Sequence, residues 1–145
     1  MIILMLSTKN LLLIAIVTII AVSCARIFTK GGDNKANALI SYANMGVNEF
    51  LNFIAEPNVQ LLDVRTPEEF SEGHIAGARL LDVNDSTFVE QAVAILDKER
   101  PVAVYCRSGR RSARAANQLT AQGFKVTNLD GGVLAWEDAG KILVK

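Results

Sequence analysis

Cys106 closes the apolar run Pro101-Val-Ala-Val-Tyr105 and is followed by Arg107-Ser108-Gly109-Arg110-Arg111-Ser112, so a sulfur nucleophile stands where a strand stops in a short cationic loop. Beyond the loop, Ala113, Ala116 and Leu119 recur at helical spacing, with Arg114, Gln118 and Gln122 on another face. Strand end, thiol, tight loop and helix start therefore coincide. A free cysteine titrates at roughly 8.5, and a helix N-terminus with adjacent guanidinium groups favours its anion. A reactive thiolate at neutral pH is the expectation. Backbone N–H groups between Arg107 and Ser112 can turn inward as a nest, with Gly109 allowing a positive φ where the turn tightens. Such a loop holds anions. Arg107, Arg110 and Arg111 would draw them in, and Arg111 is best placed because the loop closes back on the sulfur at that end. The plainer alternative is a buried structural cysteine beside a solvated charge run. Three arginines within five residues of the sulfur, at a strand-to-helix junction, favour the reactive site.

Loop length narrows the chemistry. Tyrosine phosphatases carry Cys, five residues, then Arg; here that place holds Ser112, and the arginine falls one position earlier, at Arg111. A smaller ring suits a single sulfur atom better than a tetrahedral oxyanion. Cys106-Arg-Ser-Gly-Arg-Arg-Ser112 resembles the active-site loop of rhodaneses, the sulfurtransferases. Upstream, Leu62-Asp63-Val64-Arg65-Thr66-Pro67-Glu68-Glu69-Phe70 and Gly73-His74-Ile75-Ala76-Gly77-Ala78 are similar to the N-terminal signature of that family. Downstream, Leu129-Asp130-Gly131-Gly132 and then Trp136 are similar to its C-terminal one. The three motifs stand in the family's order and cover about residues 43 to 145.

The resemblance implies a double displacement through a Cys106 persulfide, without metal or organic cofactor. The donor would be a small anion such as thiosulfate, or a persulfide; the acceptor would be a thiol, cyanide or a protein. Cys106 is then the catalytic residue, and Arg107, Ser108, Gly109, Arg110 and Arg111 bind substrate. Asp63, Arg65 and Ser112 support them. Two rival readings stand beside this one: a phosphatase or arsenate reductase on the same architecture, and a non-catalytic interaction domain tethered to the cell envelope.

Several of these residues also have a local reading. Thr66-Pro67-Glu68-Glu69 forms a capping box with proline at the first helical position. Asp63 and Arg65 lie at a strand's end, where open parallel sheets gather ligands; they form either an ion pair that positions the loop or a direct substrate contact. His74 is the only histidine, and with Gly73 and Gly77 close by it reads as tight turn packing rather than as an acid or base. Trp136 reads as a core residue of the last helix.

Val47, Phe50, Leu51 and Ile54 form a helical stripe that Asn48 could cap. Strands are expected over 59–64, 78–81, 102–105 and 125–129. Thr87-Phe88-Val89-Glu90 is a second capping box, opening a helix whose Phe88, Ala92, Ile95 and Leu96 share a face. Alternating strands and helices of these lengths predict an α/β fold in three layers: a mostly parallel sheet of about five strands with helices on both faces.

At 145 residues the chain holds one such domain, expected over 42–145, plus an appendage. Leu11 to Val22 is an apolar or threonine-containing run after Lys9, with Ala21, Ser23 and Ala25 at its end, which is a signal-peptide layout over 1–25. Initiation at Met5 would give it a more regular start. Ala21-Val22-Ser23-Cys24 resembles a bacterial lipobox, which makes Cys24 a lipidation candidate. Cleavage after Ala25 and retention as an uncleaved anchor are the alternatives. Each route leads to the cell envelope, on the periplasmic side. Residues 26–41, with Gly31-Gly32-Asp33-Asn34, read as a linker. The fifteen basic and fifteen acidic residues balance, and loss of the signal removes only Lys9, which argues against a nucleic-acid partner.

Overall fold

The computed structural model describes residues 41–145. The expected signal peptide, with Cys24, and nearly all of the expected linker lie outside the described residues. Five strands, β1 (Ala43–Met45), β2 (Gln60–Asp63), β3 (Arg79–Leu80), β4 (Val102–Tyr105) and β5 (Val126–Leu129), form one sheet in the order β1-β5-β4-β2-β3. Every neighbouring pair is parallel, so all carboxyl ends reach one rim. Five helices join and cover the strands: α1 (Val47–Ile54), α2 (Pro67–Glu72), α3 (Phe88–Ile95), α4 (Arg110–Ala121) and α5 (Gly132–Asp138).

The two-residue period of β4 explains the layering. Val102, Val104 and Cys106 point to one face, into a cluster with Phe88, Ala92 and Leu96 around α3 and Ala115, Ala116 and Leu119 of α4. Ala103 and Tyr105 point to the other, where Phe50 of α1 and Val133 and Trp136 of α5 pack. β4 is buried along its whole length, as a parallel strand covered on both sides must be. The expected three-layer α/β architecture is the one observed.

Three local expectations differ. α1 begins at Val47 after Gly46, with no side-chain cap, because β1 runs to Met45 and leaves a single residue between strand and helix. Asn48 therefore falls inside the first turn. Thr87 precedes α3 but makes no cap: its hydroxyl and N–H both donate to Asp85 Oδ1, at 2.7 and 2.8 Å, so the preceding carboxylate organises the turn. Ile95 is 42% exposed, whereas Phe88, Ala92 and Leu96, four residues apart, carry the buried stripe. β1 itself falls outside the expected strands; its Ala-Asn-Met sequence has neither alternation nor β-branching.

Candidate functional site

The Cys106 side chain lies at the carboxyl end of β4, fully buried. Gly109 takes φ 90° and opens α4, which turns its N–H back toward the sulfur at 3.2 Å. Ser112, on the first turn of α4 and also fully buried, has its hydroxyl 3.3 Å from the same sulfur and 3.1 Å from the Gly109 carbonyl. One hydroxyl proton serves one of these acceptors at a time. An anionic sulfur draws it away from the carbonyl, so Ser112 adapts to the charge on Cys106.

The loop carbonyls are tied down from outside. Val133 N–H donates to the Cys106 carbonyl at 2.9 Å and Leu134 N–H to the Arg107 carbonyl at 3.1 Å, while Ala113 N–H holds the Gly109 carbonyl at 2.9 Å. With those oxygens engaged, the Gly109 N–H is left to face the sulfur. The start of α5 approaches this closely only because of Gly132. A Cβ there would lie 2.4 Å from the Cys106 carbonyl oxygen and 2.7 Å from the Arg107 carbonyl carbon. The Gly131-Gly132 pair is thus part of the site, a role its sequence signature did not reveal. The available signal was two successive glycines ahead of an apolar helix.

Below the loop, Asp63 and Arg65 form a buried ion pair. Arg65 donates from Nη2 at 2.6 Å and from Nε at 3.0 Å to the carboxylate, and its backbone N–H donates to Oδ1 at 3.0 Å. Nη2 also donates to the Gly73 carbonyl at 2.7 Å, which ties the end of β2 to the turn after α2. The guanidinium stacks over Tyr105, 5.7 Å from the ring centre. Burial first, and then the charge of Asp63, push the Tyr105 phenol well above its usual titration range. It stays neutral and accepts the Ile75 N–H at 3.0 Å. Asp63 and Arg65 form an ion pair, as one of the two readings expected, and it holds the turn after α2, while Arg65 also lines a groove beside the loop.

Of the three loop arginines, Arg107 and Arg110 are exposed. Arg111 is not free: Nη1 and Nη2 donate to Glu69 of α2 at 2.7 and 2.6 Å. The same Glu69 completes the expected capping box, accepting the Thr66 N–H at 3.2 Å while its own N–H donates to the Thr66 hydroxyl at 3.4 Å. The Arg111 guanidinium holds the Glu69 carboxyl at about 2, far below its ordinary value. His74 stacks on Phe70 with centroids 3.8 Å apart, and its backbone pairs with Val144, which is structural service. Trp136 is buried on α5 and donates to the Ile142 carbonyl at 3.1 Å.

Two hollows flank the loop. One, of about 330 Å³, is lined by Ser108, Arg110, Arg111 and Arg114. The other, of about 320 Å³, is walled by Glu69, Arg107, Val133, Leu134 and Glu137 among others.

Residues 46–139 match the family model described as a rhodanese-like domain. The thiosulfate sulfurtransferase GlpE of Shewanella oneidensis is 39% identical over 101 residues, covering 68% of this chain and 96% of the relative. The putative sulfurtransferase YtwF of Bacillus subtilis is 38% identical over 87 residues, covering 60% and 82%. Among solved structures, a rhodanese-related protein from Thermoplasma volcanium superposes with a TM-score of 0.63 at 27% identity, over 71% of this chain and 98% of its own. The rhodanese-like domain of Alr3790 from Anabaena gives 0.64 at 29%, over 72% and 80%.

Proposed function

This chain belongs to the rhodanese-like domain family, and from that premise we propose that it moves sulfane sulfur from thiosulfate or a persulfide to a thiophilic acceptor through Cys106. The Cys106 thiolate attacks the outer sulfur of the donor. With thiosulfate the S–S bond breaks, sulfite leaves with the bonding pair, and Cys106 carries a persulfide. An acceptor thiolate or cyanide then attacks that outer sulfur and releases the Cys106 thiolate.

One observation carries the reading: the buried sulfur of Cys106 meets the Gly109 amide and the Ser112 hydroxyl, two donors suited to negative charge on sulfur. Ser112 occupies the position at which a phosphatase loop carries its arginine, and its burial against the sulfur leaves a small ring, which favours sulfur transfer over phosphate chemistry. Arg107 and Arg110, exposed beside the loop, would attract an anionic donor. Intact mass after thiosulfate treatment tests the proposal. The wild type should gain one sulfur atom and Cys106→Ser none; an equal gain in both, or none in the wild type, overturns it.

The apolar run from Leu11 to Val22 supports export to the periplasmic side of the cell envelope, with Cys24 as the lipidated residue. Growth with a labelled fatty acid should label the wild type and not Cys24→Ser. An unlabelled mature protein starting after Ala25 would instead establish ordinary cleavage.

A further inference from the structure

Glu69 and Arg111 are 42 residues apart and meet beside the loop in a bidentate pair, Glu69 lining one flanking hollow and Arg111 the other. Glu69 is fixed from a second side, since its Oε2 also accepts the Thr66 N–H. The Arg111 guanidinium is held charged first by its hydrogen bonds to Glu69, and Cys106 and Asp82 are near enough for negative charge on them to add to this. α4 opens with Arg110 and Arg111 and has no acid of its own in the first turn. Cations at that end oppose the helix dipole, so Glu69, arriving from α2, supplies the missing negative charge. Among the described residues neither Arg107 nor Arg110 has an ion-pair partner, and the neutralisation is confined to the arginine nearest the point where the loop closes.

We propose that Glu69 sets the charge selectivity of the site by withholding the Arg111 guanidinium from incoming anions, so that a persulfide of low charge loads Cys106 more readily than a dianion such as thiosulfate. The proposal rests on the sulfurtransferase reading for its substrates, but its electrostatic content concerns any reagent that approaches Cys106. Removing the Glu69 charge uncovers one positive charge at the rim. At about 4 Å through the near-aqueous dielectric of an open rim, this favours a reagent by about fivefold per unit of its negative charge.

The test measures modification of Cys106 by neutral iodoacetamide and anionic iodoacetate at low salt, with loading by thiosulfate alongside. Any change in thiolate population affects both alkylating agents alike, so their ratio isolates the reagent's charge. In Glu69→Gln the iodoacetate-to-iodoacetamide ratio should rise about fivefold, and thiosulfate loading relative to iodoacetamide should rise further. Gln at this position can still accept the Thr66 N–H, so the capping box survives. Arg111→Gln, which leaves Glu69 unneutralised, should move the ratio the opposite way, and Glu69→Gln with Arg111→Gln together should return it near the wild-type value. Should Glu69→Gln not fold, Arg111→Gln tests the same claim alone. A ratio that stays within twofold in the single variants overturns the proposal. If the ratio moves but thiosulfate loads none of these proteins, the sulfurtransferase reading falls and the selectivity claim stands.

Discussion

At the scale of single residues, the site rests on two ion pairs of opposite character. Asp63–Arg65 is buried, and each partner is the other's counter-charge away from water. Asp63→Asn leaves a buried guanidinium without its counter-charge and should cost roughly 3 kcal/mol, read as a fall in urea midpoint at constant slope. Glu69–Arg111 lies at the surface, with about a quarter of each side chain exposed, so its contribution is small and screened. Its pH signature is nevertheless distinct. The folded-state carboxyl is depressed, so the stability it adds is complete above the unfolded value of 4.5 and is lost as pH falls toward about 2. Urea titrations across that window should show Glu69→Gln less sensitive to acid than the wild type; identical slopes would show that the pair adds nothing to folding. The first pair was legible in the sequence because its members are two residues apart at a strand end. The second was not. Glu69 already had a local explanation as a cap, and nothing in a one-dimensional pattern says which of three neighbouring arginines meets a carboxylate from another helix.

At the scale of elements, the loop is shaped as much by α5 as by α4. The N-terminal amides of α5 take the carbonyls of Cys106 and Arg107, and Gly132 makes room for that contact. Gly132→Ala would place a methyl group inside the Cys106 carbonyl and strain a backbone at φ 60°. The variant should lose on the order of 3 kcal/mol and alkylate Cys106 at an altered rate even where it remains folded; a native rate at full stability would show that α5 does not shape the loop. The strand-to-helix hand-over at Cys106 was readable because β4 is a continuous apolar run and α4 carries its own stripe. What escaped were features decided by competition between neighbours: the Asp85 turn that took the Thr87 hydroxyl, and β1, whose three residues become a strand only because β5 offers an edge.

At the scale of the whole molecule, a fully parallel sheet brings the ends of β2 and β4 to the same rim, so Asp63 and Cys106 come together from distant parts of the chain. That much followed from alternating strands and helices. Core stability should then be separable from chemistry. Leu119→Ala, on the buried face of α4, should cost about 2–5 kcal/mol while sparing the Gly109 and Ser112 donors at the sulfur, so thiosulfate loading should persist below the lowered melting point. Complete loss of loading in the folded variant would show that α4 packing controls the loop. The depth of Cys106 has one more effect. Ala115, Ala116 and Leu119 belong to the same buried cluster, so a sulfur joined to Cys106 by an S–S bond of about 2 Å would have to point away from that packing. On the proposed chemistry the unloaded thiol is concealed and a bound outer sulfur would stand farther out, which would make the loaded state the easier for a bulky recipient to reach.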